Sequence, residues 1–450
     1  MALSELPPPL LEESGAESPR IRATPPGPQS RSATTRLESV ECPAFGRRRS
    51  VRAEASGTDP GPIVLAHGLG SNLFDVDGNR YVDLAAGFGS MLLGHGAPSV
   101  TRAIEAQCER LVQGLGDVYA SDVKVALLER LSALHPGESP QVLLAQSGGD
   151  AVTAALKTAA LSTGKPGIVA FEGGYHGLGY APLAACGLRP SYREPFAAQL
   201  NPHVAFAPFP RDAAGLDSSL TALEAALRNG IVGAVLVEPV LGRGGCVVPP
   251  DAFVKSLCDL AHRHGALVIA DEVWTGLGRT GSIARTTAIG ATPDILCFGK
   301  GLGGGLSIAA CVAPASIMGA WAKGDEVVHT ATHTGSPLTC AAAVATLDSI
   351  RFRQLAARST EVGGRFKAQL ARELAAASGV IEVRGEGLMI GVELADGAQA
   401  TAVVRRMLTR GYIVLSGGMR GEVITMTPPL TIAETLLDGA ASALREAIAG

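Results

Sequence analysis

The chain has 450 residues, 46% of them hydrophobic, and its 38 Lys and Arg against 42 Asp and Glu give a formal net charge of −4. That length calls for two or three compact units with an ample core. The nearly balanced charge excludes a whole-chain basic surface for nucleic acid or for an anionic membrane.

The 56 glycines follow no collagen-like period and suit an α/β chain with many tight strand–helix turns. No apolar run approaches the roughly 18 residues that a membrane span needs, and the amino terminus lacks the apolar core of a secretory signal. The eight cysteines (Cys42, Cys108, Cys186, Cys246, Cys258, Cys297, Cys311 and Cys340) form no CxxC pair. Several sit in apolar runs, so we expect reduced, buried thiols and a cytoplasmic protein.

In chain order, residues 1–55 are rich in Pro, Ser, Glu and Arg and read as a disordered tail, with Arg47-Arg48-Arg49 and Arg52 a solvated charge run. Folded structure is expected from near Pro62. Residues 56–98 hold two alternating strands from Asn72 to Leu84, joined by the Asp77-Gly78 turn of a hairpin. Residues 99–345 then alternate helices with apolar strands. Helices are expected at 99–116, 121–134, 151–161 and 251–264, and strands at 142–145, 167–171, 233–237, 266–270, 295–298 and 307–312. This predicts a mostly parallel sheet covered by helices on both faces. Residues 346–450 change character again, with strands at 380–383, 388–393 and 423–427 and helices at 399–410 and 432–448. They form a smaller α+β unit with which the amino-terminal hairpin is expected to pack.

Several strand ends carry chemistry. Ser147-Gly148-Gly149-Asp150 follows a strand and opens a helix, so its amides and the helix dipole suit a phosphate as well as they suit ordinary capping. Tyr175-His176 places an aromatic pair in a glycine-flexible loop, where a ring can stack on a flat cofactor or pack internally. Glu238 ends one strand and Asp271 another. A third delivers Lys300 into Lys300-Gly301-Leu302-Gly303-Gly304-Gly305. Desolvation makes a buried lysine amine a usable nucleophile for a Schiff base. A carboxylate keeps a pyridinium nitrogen protonated. Together, amine and acid point to pyridoxal phosphate (PLP), in the crevice at the carboxyl edge of an open sheet.

In order and spacing, two linked segments resemble the class III (ω-type) aminotransferases of the fold-type I PLP family. One is Asp271-Glu272-Val273 with Gly278-Arg279-Thr280-Gly281. The other is Pro293-Asp294-Ile295 with Phe298-Gly299-Lys300 and the glycine run. The hairpin Asp75–Tyr81 is similar too, and the resemblance runs from about Pro62 to the carboxyl end. It implies that Lys300 binds the cofactor covalently and shuttles the substrate proton, and that Asp271 pairs with the ring nitrogen. Val273 and Tyr175 would sandwich the ring, with Gly148 and Gly149 giving amides to the phosphate. Glu238 would orient the cofactor environment. Thr332 would reach the phosphate of a neighbouring subunit, which implies a homodimer with shared active sites. The implied activity is transamination from an amino acid or amine donor to a 2-oxo acid.

The departures bear on substrate. Where the family often has Glu-Pro-x-x-Gly-Glu-Gly-Gly, residues 238–245 carry Arg243 at the sixth place. Where many relatives have an arginine before Pro-Pro-Leu for the substrate α-carboxylate, Thr425 stands. Arg243 either takes over carboxylate recognition or is a rim residue beside an amine without a carboxylate. Trp274, where relatives often have a smaller or amide side chain, reshapes the pocket. His329 and His333 have i,i+4 spacing but fall within the phosphate-loop resemblance, and no metal site is expected. The rival activities are an aminomutase or amino-acid epimerase, and a non-catalytic PLP-fold binding subunit, which would need neither Lys300 nor Asp271.

Overall fold

The structure, a computed structural model, describes residues 14–59 and 61–450. Its amino-terminal part corrects the expected disordered tail. Residues 1–13 lie outside the described residues, but helices run over Pro28–Glu38 and Pro43–Ser56. Each opens on a proline, whose fixed φ suits the first helical turn. The segment is held by side chains far along the sequence. Asp77 accepts hydrogen bonds from the amides of Gln29 (2.7 Å) and Ser30 (3.0 Å), capping the first helix from outside. Asn79 Oδ1 accepts from the amides of Arg22 and Ala23. These two residues belong to the expected hairpin, formed by β2 (Asn72–Asp75) and β3 (Arg80–Asp83), with β1 (Leu65–Leu69) antiparallel to β2.

Residues Pro98–Ser359 form one compact unit. Its seven strands are β4 (Gln141–Ala145), β5 (Gly167–Phe171), β6 (Val204–Ala207), β7 (Val232–Val237), β8 (Leu267–Asp271), β9 (Ile295–Phe298) and β10 (Ala309–Ala313). They lie in the order β4-β10-β9-β8-β7-β5-β6. The sheet is mostly parallel, as expected. Only β10 is antiparallel, to both β9 and β4, so its amino end sits at the edge where the other strands end. The central strands are buried on both faces. Ile168, Ala170, Ala234 and Leu236 point into a small-residue core against the alanine-rich helix Gly148–Thr163. The alternate residues Val169, Phe171, Val235 and Val237 point into a second core with Phe253 and Leu257 of the helix Asp251–Arg263. A strand sandwiched in this way can carry a polar side chain only where it runs out.

The other unit joins the residues before Pro98 to Thr360–Gly450. It contains β11 (Val380–Glu386), β12 (Met389–Leu394), β13 (Tyr412–Ile413), β14 (Leu415–Gly417) and β15 (Val423–Met426). These give two four-stranded sheets, β1-β2-β3-β13 and β11-β12-β15-β14. The second boundary falls within the helix Leu355–Leu374 and not at 345/346. The reason is that the helix Pro337–Phe352 packs on the helices Pro98–Arg110 and Asp122–Ser132 of the large unit.

Candidate active site

Asp271 ends β8 and is 5% exposed. The Nδ1–H of buried His176, from the loop after β5, donates to its Oδ2 at 2.8 Å, and the Val273 amide donates to Oδ1 at 3.1 Å. Both carboxylate oxygens are thus fixed by groups outside β8. Glu238, just beyond β7, is also buried. Its Oε1 accepts from the Tyr175 amide (2.8 Å) and its Oε2 from the Gly242 amide (2.9 Å). One carboxylate therefore pins the Tyr175 loop to the loop that carries Arg243. Burial pushes the Glu238 pKa up and Asp271 adds to the rise, while His176 and the two amides oppose it.

Lys300 follows β9 with φ +41°, a left-handed conformation that is strained for a residue with a β-carbon. Its surface is partly covered, and its amine forms no hydrogen bond or ion pair among the described residues. The Nζ atom stands 4.3 Å from the centre of the Trp274 ring. Desolvation pulls the amine from 10.5 down to about 8; Asp271 and Glu238 resist, and Arg243 adds to the lowering. Trp274 is 8% exposed and its Nε1 is buried without a hydrogen-bond acceptor among the described residues. The ring lies so close to Gly242 that a β-carbon there would stand 2.4 Å from Cε3, so glycine is required. Next along, the Arg243 guanidinium lies 4.6 Å from the centre of the Tyr175 ring and has no ion pair among the described residues.

At the end of β4, Ser147 caps the helix Gly148–Thr163, its Oγ accepting from the Asp150 amide at 3.2 Å. The first-turn amides of Gly148 and Gly149 have no intrahelical acceptor, and the dipole there favours an anion. A β-carbon on Gly148 would come within 2.6 Å of Val273 Cγ1, which keeps this turn bare beside Val273. Thr332 lies exposed on a surface loop, where its carbonyl accepts from Gln113 Nε2 at 2.5 Å.

An unpartnered amine with a lowered pKa, an acid aimed by a histidine, open helix-end amides and an orphaned buried indole N–H form a donor set that fits PLP. Lys300 would hold it covalently, Asp271 its ring nitrogen and the Ser147–Gly149 turn its phosphate.

Ser147, Gly148, Gly149, Tyr175, His176, Glu238, Arg243, Asp271, Val273, Trp274, Lys300 and Thr332 all belong to the large unit. Thr425 belongs to the other, on β15 opposite Gly391 and Leu415, with Oγ1 buried and without a hydrogen bond among the described residues. His329 pairs with Asp150 at 3.5 Å beside Trp321. Sequence reasoning missed the Glu238 latch, the role of His176 in aiming Asp271, and the Trp274–Lys300 contact. The one available signal was Gly242, four residues past Glu238.

Residues 53–448 match the model of the class-III aminotransferase family. The chain is 35% identical over 387 residues to an acetylornithine aminotransferase of Methanothermobacter thermautotrophicus, covering 86% of this chain and 94% of the relative. It is 31% identical to an alanine/serine racemase of Pyrococcus horikoshii, over 97% of this chain and 94% of that one. Its fold matches a PLP-bound amine transaminase from an uncultivated Pseudomonas species, with a TM-score of 0.79 and 30% identity, covering 87% of this chain and 95% of that one.

Proposed function

The chain belongs to the class III aminotransferases, PLP-dependent transaminases of fold-type I, and from that premise we propose that Arg243 holds the carboxylate of its substrates. PLP, when bound, supplies the electron sink that takes up charge as a substrate proton leaves. The remaining work falls to side chains. Asp271, aimed by His176, would offer its carboxylate to the ring nitrogen, and Val273 and Tyr175 would bracket the ring. Lys300 Nζ holds the cofactor and carries the proton. With a pKa of about 8, about one amine in ten is neutral at pH 7, far more than for an ordinary lysine. Glu238 holds the Tyr175 and Arg243 loops in register.

The observation that carries the reading is the amine of Lys300, without a hydrogen bond among the described residues, beside the guanidinium of Arg243, which has no ion pair among them and whose charge acts on the amine. Donor and 2-oxo acid acceptor occupy the same site in turn, and the acceptor always brings a carboxylate. An arginine already held over an aromatic ring meets it bidentately with little reordering.

Arg243→Ala should raise KM for a 2-oxo acid about 10- to 100-fold, as expected for a lost charge-assisted pair, and leave KM for an amine without a carboxylate unchanged. Equal KM for the oxo acid in parent and variant would refute the carboxylate role. The same assay, run with one amino acid and no oxo acid, separates transfer from the isomerisation named for the racemase relative.

The assembly we propose is a homodimer with shared active sites. Exposed Leu111, Val112, Leu115, Val118 and Tyr119 lie on the segment that also supports the Thr332 loop, and Val327 and Val328 are exposed nearby in sequence. A cytoplasmic location is likewise proposed, supported by eight free cysteines, six of them buried. No helix among the described residues is long and apolar enough to cross a membrane.

A further inference from the structure

We propose that the face of Trp274 is the resting place of the Lys300 amine whenever that lysine is not covalently engaged, making Trp274 a positioning residue for the proton carrier. The inference rests on the PLP-dependent reading of the site.

In transamination the lysine is displaced by the incoming amino group and must stay within reach to move the proton. A free lysine has four rotatable stem bonds and, in water, an ammonium that would drift toward solvent. Here the amine instead sits 4.3 Å from the Trp274 ring centre and has no hydrogen-bond acceptor among the described residues. The ring is buried and closely packed. Its edge is packed against Gly242, where even a methyl group would collide at 2.4 Å, and Gly242 is tied by its amide to Glu238. An indole face attracts the ammonium form through its quadrupole, yet offers no lone pair that would hold the neutral amine. It is therefore a platform that keeps the charged carrier nearby and releases it on deprotonation. The charged groups that act on Lys300 are Asp271 and Glu238, which favour the ammonium, and Arg243, which opposes it. His176 bonds to Asp271, and Tyr175 stacks with Arg243. Trp274 thus works with the acids against desolvation.

The chain has two tryptophans, which makes the contact readable. Trp321 lies 6.2 Å from His329, whose own titration would modulate its emission, so the measurement uses Trp321→Phe. In the full-length chain freed of cofactor, Trp274 fluorescence should change in a single step with a midpoint near pH 8 as the ammonium leaves the ring. Adding Lys300→Ala should abolish that step. Far-ultraviolet circular dichroism checks that both variants fold. An emission profile that is flat through this range, or a step that persists without Lys300, would overturn the proposal.

A second readout does not depend on Trp274 emission. Recombination of the apo chain with PLP, followed at the visible cofactor band, requires the neutral amine and so rises with pH through the Lys300 midpoint. Trp274→Leu removes the ring's preference for the ammonium and should shift that midpoint down by about one unit, whereas Trp274→Phe should shift it less. An unmoved midpoint in Trp274→Leu would refute the contact. If the band never forms in the parent chain, the cofactor reading itself fails. If it forms but neither measurement senses Trp274, only this inference fails.

Discussion

Glu238 shows how much a single buried carboxylate can organise. It accepts the amides of Tyr175 and Gly242 with separate oxygens, and in doing so sets the stack of Arg243 on Tyr175 before any substrate arrives. The same burial raises its pKa above 4.5 in the folded chain. Between 4.5 and the folded value, the native state therefore binds more protons than the unfolded one. The contribution of this group to stability is full below 4.5 and is lost as pH rises. Glu238→Gln cannot titrate, so its melting temperature should gain on that of the parent as pH rises above 4.5; parallel melting curves at every pH would contradict this. Activity should move the other way. Glutamine can still accept one amide but presents an N–H to the other, leaving one loop loose, and KM for the oxo acid should rise several-fold through Arg243.

Glycines decide the packing of whole elements, and the helix Leu355–Leu374 gives a matched pair. A β-carbon on Gly363 would stand 1.9 Å from the Gly387 carbonyl oxygen in the turn between β11 and β12, whereas one on Gly364 would meet nothing within 4 Å. Alanine gains about 1 kcal/mol over glycine inside a helix. Overpacking against backbone costs about 1–3 kcal/mol. Gly364→Ala should therefore raise the thermal midpoint and Gly363→Ala lower it, each by a few degrees. Two shifts of the same sign would show that the helix is not seated on that turn. The elements also mark what the sequence could and could not disclose. β5, β7 and β9 were legible because strands buried on both faces are unbroken apolar runs, and Asp271 and Lys300 were legible as the charges that end such runs. The reversed direction of β10 was not, since composition carries no direction. Short β6, after Pro202, and the helix Ala213–Leu227 behind it were passed over. The Glu238 latch joins residues 63 positions apart, so no local pattern announces it.

At the scale of the whole molecule, the amino-terminal segment is the clearest lesson in non-local stability. Its helices Pro28–Glu38 and Pro43–Ser56 are too polar and too short to stand alone. Asp77→Ala removes the acceptor for two first-turn amides, at a cost of about 1–2 kcal/mol. Tryptic cleavage at Arg31 and Arg36 should then quicken about tenfold, since cleavage follows the open population. Unchanged cleavage would mean the cap is idle. The sheet that anchors this segment is itself divided along the chain, for β3 pairs with β13 through Val82 and Tyr412. A ribosome adding about 5–20 residues each second therefore leaves the nascent β3 without its neighbour for tens of seconds, the time in which the stretch from Pro98 to Ser359 is made. Arg20 covers that edge only at Arg80, so throughout the interval the hairpin presents an open edge at Val82 and Asp83, the kind of surface on which chains aggregate and chaperones act. A message truncated anywhere before Tyr412 would release a product with the Val82–Asp83 part of that edge permanently bare.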